Sequence, residues 1–343
     1  MKARKIILFI FIVLIAGAAF LSWMFFGPTV KPPEGNFFYI HTGSGYQQVK
    51  NDLIKSRIIA SGFWLDKVAK YSGYTKNVKP GKYKINGGMS IFNLVKMLRA
   101  GRQTPVNLVI TKLRTRDDLA KKIADNFETD STSVINFLNS NDTLLQFDVD
   151  TNTLMTMIIP NTYTFTWNTN TQRILKKLYS EEDKFWNDDR LKKAQKLHLT
   201  PKEVYTLASV VEEETNKQDD KGKIASVYYN RIQKGMRLAA DPTIKFAMKN
   251  FGLKRVYTKY LSFPSPYNTY LNAGLPPGPI CTPSIKTIDA VLAMPETNYL
   301  FFVARSDFSG FSDFASTYQE HLIYAKAYQQ ALDSLLKEKE QNQ

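Results

Sequence analysis

A single long apolar run near the N-terminus constrains the architecture of this chain more than any other feature. Residues 6–26 read IILFIFIVLIAGAAFLSWMFF and contain no charged side chain. In a helix that rises about 1.5 Å per residue, about 21 residues cover the hydrocarbon core of a bilayer, which is about 30 Å thick. The run therefore predicts one transmembrane helix.

Charged residues before the run predict its orientation. Three basic residues precede it, namely Lys2, Arg4 and Lys5. The positive-inside rule then places residues 1–5 in the cytoplasm and everything after Gly27 on the periplasmic side of the inner membrane. A cleaved signal peptide is the alternative, because residues 16–18 (AGA) resemble a cleavage site. The length of the run favours an uncleaved single-pass anchor, and the absence of a nearby cysteine excludes a lipoprotein anchor.

The rest of the chain has the composition of a globular protein. The sequence is 43% hydrophobic, and 343 residues suffice for two or three domains. A net charge of +15 is typical of proteins that bind nucleic acid or anionic surfaces. The predicted topology puts nucleic acid out of reach, which leaves an anionic lipid face or an acidic cell-wall polymer as partners. Because the basic residues are scattered, general solubility is the simpler interpretation.

The histidines and the one cysteine do not indicate a metal site. Cys281 has no second thiol to pair with and is predicted to pack as a small hydrophobe. His41 and His198 have no ligand spacing with each other or with Cys281. We therefore expect neither a metal nor another cofactor.

Composition divides the chain after the apolar run into a linker and three regions, and the predicted fold class is α+β. Residues 27–36 contain three prolines and no apolar periodicity, which indicates an extended linker. Residues 37–104 alternate strand-like runs with amphipathic helical ones and predict a small α+β subdomain. Residues 105–195 are expected to connect it to a larger mixed α/β domain at 196–343.

Local patterns predict the individual elements. Strands are expected at 37–40, 82–85 and 106–110, and helices at 46–56, 90–101, 115–127, 171–186, 200–214 and 223–235. Residues 158–169 are predicted to be irregular. The segment 267–284, YNTYLNAGLPPGPICTPS, contains four prolines and predicts either a rigid loop that lines a groove or a structural cluster of turns.

The helix predicted at 200–214 has a well-marked start and an apolar face. Thr200 as N-cap, Pro201 at N1 and Glu203 at N3 form a capping-box pattern. At 100° per residue one apolar stripe faces the core. It consists of Val204, Leu207, Ala208, Val211 and Thr215.

Three consecutive glutamates end this helix, and their angular positions differ. Glu213 lies opposite the stripe and is predicted to be solvated, whereas Glu212 and Glu214 lie at its two borders. A carboxyl group at such a border beneath a cleft loses solvation, and its pKa rises as a general acid near neutral pH requires. By periodicity alone, ordinary solvated charges at a helix end are the alternative.

Four segments in this order resemble the endolytic murein transglycosylase family, also called YceG-like proteins. They are ASVVEEET at 208–215, VYYNRIQKGMRLAADPT at 227–243, YNTYLNAGLPPGPI at 267–280 and FSDFASTYQEH at 311–321. The resemblance covers nearly the whole chain and is strongest from residue 200 to 325. It implies that residues 37–104 are a LysM-like subdomain, which either binds glycan or only packs against the catalytic domain.

The resemblance also implies a chemistry. The family's essential acid is the second glutamate of an E-x-E pair, which falls on Glu214, with Glu212 as the first. The implied reaction is that of a lytic transglycosylase, which cleaves the MurNAc–GlcNAc bond of peptidoglycan and leaves a 1,6-anhydro-MurNAc end. The family commonly carries Pro-Asp-Thr-Tyr where this chain has 160-PNTY-163, so that Asn161 puts a charged role there in doubt.

The resemblance further nominates side chains that position sugars or tune the acid. They are Glu212, Asn230, Arg231, Asp241, Thr243, Asn268, Thr269 and Tyr270. His321 is either a hydrogen-bonding partner of the site or simply a packed residue. The tether suggests newly made strands as substrate and a peptidoglycan synthase as partner. The alternatives are an inactive wall-binding scaffold and a two-carboxylate hydrolase with Asp241 as the second acid.

Overall fold

The computed structural model describes residues 2–253 and 255–341, which fall into two compact units. The first unit comprises the chain up to residue 108 together with residues 123–130 and 164–170. The second comprises residues 109–122, 131–163 and the chain from residue 171 onward. The region predicted to connect two domains, residues 105–195, thus contributes segments to both units. The LysM-like character of residues 37–104 and the predicted domain limits stay predictions.

The secondary structure is a mixture of helices with short strands. The helices are α1 (Lys2–Phe26), α2 (Tyr46–Lys55), α3 (Phe63–Ser72), α4 (Ile91–Ala100), α5 (Arg116–Ala124), α6 (Ser131–Leu138), α7 (Asn141–Leu144), α8 (Thr171–Phe185), α9 (Asp188–Lys196), α10 (Pro201–Glu214), α11 (Gln218–Gln233), α12 (Asp241–Ala247), α13 (Ile285–Leu292) and α14 (Tyr318–Gln341). The strands are β1 (Phe37–Ile40), β2 (Gly81–Lys84), β3 (Val106–Ile110), β4 (Asn161–Phe165), β5 (Phe301–Ala304) and β6 (Ser312–Ala315). They form the two-stranded sheets β1–β2, β3–β4 and β5–β6.

Helix α1 contains the apolar run. The stretch Arg4–Trp23 has a mean hydropathy of 2.8 and is long and apolar enough to cross a membrane. Its apolar side chains from Ile6 to Ile15 are exposed, as expected for a helix that packs against lipid rather than protein. A signal sequence shares these properties, and the orientation stays a prediction.

The first unit packs its helices against the antiparallel pair β1–β2, in which Phe38 lies opposite Tyr83. Helix α4 begins at the N-cap Ser90, whose side chain accepts a hydrogen bond from the Asn93 amide, and ends at Gly101. Gly101 has a φ of 67°, a left-handed conformation that glycine adopts without a Cβ clash. The helix predicted at residues 90–101 is therefore confirmed, and its two ends have local physical causes.

Two predictions for individual elements are corrected by the structure. Residues 158–169 are not irregular throughout, because β4 occupies Asn161–Phe165; only Tyr163 and Phe165 mark its inner face, too short an alternation to predict a strand. Helix α11 begins at Gln218, five residues before the predicted start at 223. Its first turns read QDDKG, a polar sequence that hides the fact that Asp220 and Lys221 are buried.

The second unit is built around α10. The predicted capping box is confirmed: the Glu203 amide donates to Thr200 Oγ1 at 3.3 Å, and the Thr200 amide donates to Glu203 Oε2 at 2.7 Å. The stripe from Val204 to Val211 is fully buried. Tyr205 and Val210 on other faces of α10 are buried as well, so the helix is enclosed by its neighbours α11, α12 and α13. The three glutamates form the C-terminal end of this enclosed helix.

Candidate active site

Glu214, the last residue of α10, is partly exposed and held by a tyrosine. The hydroxyl of Tyr228 on α11 donates to Glu214 Oε1 at 2.5 Å. The pKa of Glu214 is raised to about 7; burial is the largest cause, and the negative charge of Asp241 also acts to raise it. The Tyr228 hydrogen bond and the positive charges of Lys245 and Arg231 oppose the rise. The carboxyl group is therefore divided between its acid and its ionised form near neutral pH.

Glu212 is an ionised group bound within the protein. Lys221 Nζ lies 2.8 Å from Glu212 Oε2, and the same oxygen accepts hydrogen bonds from Ser284 and Thr287. Burial acts to raise the pKa of Glu212, but the hydrogen bonds from Lys221 and Thr287 outweigh it and leave the pKa below its ordinary value. These contacts join α10, α11 and α13. They occupy the Oε2 atom of Glu212, so that this oxygen is not available to bind a ligand.

The prediction that Glu213 is solvated is wrong. Its side chain is 18% exposed and lies between Lys112 Nζ at 2.9 Å and Arg114 Nη2 at 3.1 Å. Residues 109–115, about a hundred positions earlier in the sequence, cover the face of α10 that periodicity assigned to solvent. Burial opposes ionisation, yet the two cations keep the pKa of Glu213 below its ordinary value.

Asp241 and Tyr270 form a polar pair beside Glu214. The Tyr270 hydroxyl donates to Asp241 Oδ1 at 2.6 Å, where Asp241 is the exposed first residue of α12. Burial, and then the hydrogen bond to Asp241, raises the pKa of Tyr270. Glu214 contributes to this rise by its charge. The structure therefore brings together the acid, the start of α12 and the segment 267–284, called here the proline-rich loop.

The side chains of Arg231 and Asn230 donate hydrogen bonds to backbone carbonyls. The Arg231 guanidinium donates to the carbonyls of Leu300 and Leu238 at 2.7 and 2.6 Å and stacks 5.3 Å from the centre of the Phe301 ring. Asn230 Nδ2 donates to the carbonyls of residues 297 and 299 at 2.8 and 3.0 Å. Arg231 still acts on Glu214 through its charge. Asn230 holds the chain that leads into β5.

Thr243, Asn268 and Thr269 are buried and hold the loop against α12. The hydroxyls of Thr243 and Thr269 lie 2.9 Å apart, and Thr269 Oγ1 accepts a hydrogen bond from the Ala240 amide at 3.0 Å. Asn268 Nδ2 donates to the carbonyls of residues 261 and 263. These side chains fix the positions of Asp241 and Tyr270.

Sequence reasoning missed two groups near the acid, Tyr228 and Lys245. Tyr228 lies on the face of α11 that also carries Arg231 three residues later, and Lys245 follows Asp241 by four residues on α12. His321 stacks on Phe301 with ring centres 5.4 Å apart, and its Nδ1 is buried without a hydrogen-bond partner.

A second carboxyl group with a raised pKa lies elsewhere in the second unit. Burial, followed by the charge of Asp183, raises the pKa of Glu182 on α8 to about 7. It lines a cavity of about 380 Å³ with Tyr179 and Trp186 among its neighbours. Glu182 lies outside the four segments that resemble the family. Among residues 2–253 and 255–341, no group of three or more His, Cys, Asp or Glu side chains could hold a metal ion.

Comparison with known proteins identifies the family. The sequence pattern of the YceG-like family matches residues 38–327. An endolytic murein transglycosylase of Bacillus subtilis is 30% identical over 298 residues, which cover 82% of this chain and 81% of that protein. An endolytic murein transglycosylase of Streptococcus pneumoniae is 27% identical over 342 residues, which cover 88% of this chain and 61% of that protein.

A solved structure agrees with this assignment. The crystal structure of a YceG-like protein from Listeria monocytogenes superimposes with a TM-score of 0.55 at 27% identity and covers 83% of this chain and 97% of that one. Sequence and fold thus match over most of both units, and this chain belongs to the YceG-like family.

Proposed function

We propose that this protein is an endolytic lytic transglycosylase that cleaves the bond between MurNAc and GlcNAc in peptidoglycan glycan strands. Membership of the family and the activity named for the Bacillus and Streptococcus relatives support the reaction class. The observation that carries the proposal is the state of Glu214, a carboxyl group with a pKa of about 7 in a partly exposed position.

Glu214 is the general acid and then the general base. In its protonated form it gives a proton to the bridging oxygen as the bond from that oxygen to C1 of MurNAc breaks. The ionised carboxylate, which accepts the Tyr228 hydrogen bond, then takes the proton of the C6 hydroxyl of the same sugar. The C6 oxygen forms a bond to C1 and gives the 1,6-anhydro end. A pKa near the working pH serves both steps, because neither form is rare.

One carboxyl group suffices because the nucleophile belongs to the substrate. The attack on C1 is intramolecular, and orientation supplies much of what a second catalytic carboxylate provides in ordinary glycosidases. Asp241 and Tyr270 position the sugar beside Glu214, and the charge of Asp241 also favours the positive centre that develops at C1. Arg231 and Lys245 limit the rise of the pKa of Glu214.

Helix α1 determines where this chemistry takes place. As a single-pass anchor it holds both units at the periplasmic face of the inner membrane, where newly made strands emerge. The enzyme would then terminate strand elongation close to the synthases that make the strands. The interpretation of residues 37–104 as a LysM-like glycan-binding subdomain belongs to this proposal.

Product analysis by mass spectrometry tests the chemistry. The full-length protein is incubated with purified sacculi, and 1,6-anhydro-MurNAc ends are expected. The Glu214→Gln variant should form none while it unfolds cooperatively like the wild type. Glu182→Gln is the matched control, because it removes the other carboxyl group with a pKa of about 7 and should leave the products unchanged.

The two competing functions predict other products. Reducing MurNAc ends would identify a hydrolase, for which Asp241 is the second acid because its charge acts on Glu214. No product from well-folded wild-type protein would identify a scaffold. Retained activity of the Glu214→Gln variant would refute the assignment of the acid.

A further inference from the structure

A second cavity of the same unit is lined in part by α12 and by the proline-rich loop, the two elements that also carry Asp241 and Tyr270. Its volume is about 220 Å³, and its lining combines basic, polar and apolar side chains. The residues that matter for its chemistry are Arg114, Arg116, Lys249, Tyr267 and Phe246. None of them belongs to the predicted set of site residues.

Two cations of this lining have no acidic partner. Arg114 is paired with Glu213, but within residues 2–253 and 255–341 no ion pair engages Arg116 or Lys249. The lining contains one acidic residue, Asp117, which is exposed. The two unpaired cations therefore outnumber the acidic groups of the lining. Arg116 is partly buried and Lys249 is exposed at the mouth of the cavity. Guanidinium and ammonium groups select an anionic group, and carboxylates fit a guanidinium well.

Lys249 occupies a backbone conformation that suits glycine better. It follows α12 with a φ of 51°, in the left-handed region, and its amide donates to the Phe246 carbonyl at 2.9 Å. A side chain other than glycine or asparagine is unfavourable there by about 1 kcal/mol. The position therefore offers a clean experiment, because replacement by glycine removes the ammonium group and suits the backbone.

Two connections link this cavity to the surroundings of Glu214. Asp241 at the start of α12 acts on Glu214, and Phe246 near the end of the same helix lines the cavity, about 8 Å further along the axis. Tyr270 of the proline-rich loop lies beside the acid, and Tyr267, three residues earlier, lines the cavity. Such a distance is of the order of one disaccharide.

Gly278 allows the proline-rich loop to approach the cavity wall closely. A Cβ on Gly278 would lie 2.1 Å from the carbonyl oxygen of Asn152, which itself lines the cavity. The proline-rich loop therefore reaches residues 150–153 only because position 278 has no side chain. A rigid cavity of this kind loses little entropy when it binds a ligand.

We propose that this cavity is a subsite for a carboxylate of the peptide stem that hangs from MurNAc, so that the enzyme prefers strands that still carry their peptides. The inference rests on the proposed function and names the substrate more closely. Stem peptides combine free carboxylates with the small apolar side chains of alanine. The cavity offers the matching pair, cations from Arg116 and Lys249 and apolar surface from Phe246 and Met155.

Binding of free ligands tests the subsite without any catalytic step. Titration calorimetry with a soluble stem pentapeptide should give saturable binding to the full-length protein, weakened by salt. The double variant Arg116→Gln/Lys249→Gly should bind the peptide about tenfold more weakly. Lys326→Gln, which removes an exposed lysine of α14 outside the cavity, should bind like the wild type. Equal affinity of the wild type and the double variant would overturn the proposal.

Further ligands identify the source of the anion. The same pentapeptide with amidated carboxylates should lose binding, which supports the proposal. Free N-acetylmuramic acid, whose lactyl carboxylate is exposed, and inorganic phosphate should not compete with the peptide. If either binds as tightly as the peptide, the cavity serves another anion and the stem assignment is refuted.

Turnover separates this inference from the proposed function. In the wild type, kcat/KM should be higher for peptide-bearing strands than for peptide-free strands. In the double variant the ratio of the two values should fall about tenfold, because KM for peptide-bearing strands rises. An unchanged ratio in the double variant refutes the subsite but leaves the anhydro product intact. A protein that binds the pentapeptide and forms no anhydro ends refutes the proposed function alone.

Discussion

Replacement of Tyr228 by phenylalanine should move the pH dependence of the enzyme in a defined direction. The substitution keeps the buried ring and its edge-on contact with Phe302 and removes the hydroxyl that donates to Glu214 Oε1 at 2.5 Å. That hydrogen bond stabilises the ionised carboxylate and lowers its pKa. A hydrogen bond to a charged group contributes about 1.5–3 kcal/mol, and one pKa unit corresponds to about 1.4 kcal/mol. The pKa of Glu214 should therefore rise from about 7 by about 1–2 units.

The sign of the effect follows from the need for a protonated acid. In the wild type, kcat/KM should fall as the pH rises through about 7, because Glu214 loses its proton. In the Tyr228→Phe variant this falling limb should lie about 1–2 units higher, and the plateau at low pH should be lower because the acid is weaker. The assay is kcat/KM for the release of anhydro ends between about pH 5 and 9.

A buried tyrosine on a different helix, Tyr205 on α10, is the control. The Tyr205 hydroxyl donates to the Ile158 carbonyl at 2.5 Å, so Tyr205→Phe removes the same group without touching Glu214. In the Tyr205→Phe variant, kcat/KM should fall over the same pH range as in the wild type. A limb that stays in place or moves to lower pH in Tyr228→Phe would refute the role given to the hydroxyl.

Three further outcomes follow from the same contacts. Because the pKa of Glu214 is raised to about 7 from an ordinary value of 4.5, its contribution to the free energy of unfolding should fall by up to about 3 kcal/mol as the pH rises from 4.5 to 7, and urea titrations of Glu214→Gln should lack this part of the slope. Lys221→Met leaves Glu212 without its ion-pair partner in a buried position and should cost about 3–5 kcal/mol of stability, measured by urea unfolding; a loss below about 1 kcal/mol would contradict it. Gly278→Ala forces a Cβ against Asn152 and should cost about 1–3 kcal/mol, whereas Ala at Gly45, where the space is open, should cost far less in thermal melts.

The parts of the site that were predictable are those defined by local sequence. The capping box at Thr200 and the stripe from Val204 to Val211 depend on residues a few positions apart, and both are confirmed. The same helical geometry separated Glu214 from Glu213, but it could not identify what covers the far side of α10. That cover comes from Lys112 and Arg114, about a hundred residues away in the sequence, and periodicity has no access to such pairings.

The cavity lined by α12 and the proline-rich loop was out of reach of sequence reasoning for a related reason. Its lining comes from four separate stretches, residues 114–117, 151–155, 246–249 and 265–279. Each stretch alone reads as a turn or a helix end, and the unpaired state of Arg116 is a property of the assembled unit. Strand β4 was missed on a smaller scale, because its partner β3 lies about fifty residues earlier.

The backbone contacts of residues 109–122 set a limit on truncation. The Thr282 amide donates to the Leu113 carbonyl at 2.8 Å, the Leu113 amide donates to Thr282 Oγ1 at 2.9 Å, and Lys112 and Arg114 neutralise Glu213. A soluble fragment that starts at residue 196 would expose the back of the helix that carries the acid and strip two hydrogen bonds from the proline-rich loop. The shortest piece of this chain that keeps Glu214 in its working environment therefore starts before residue 109.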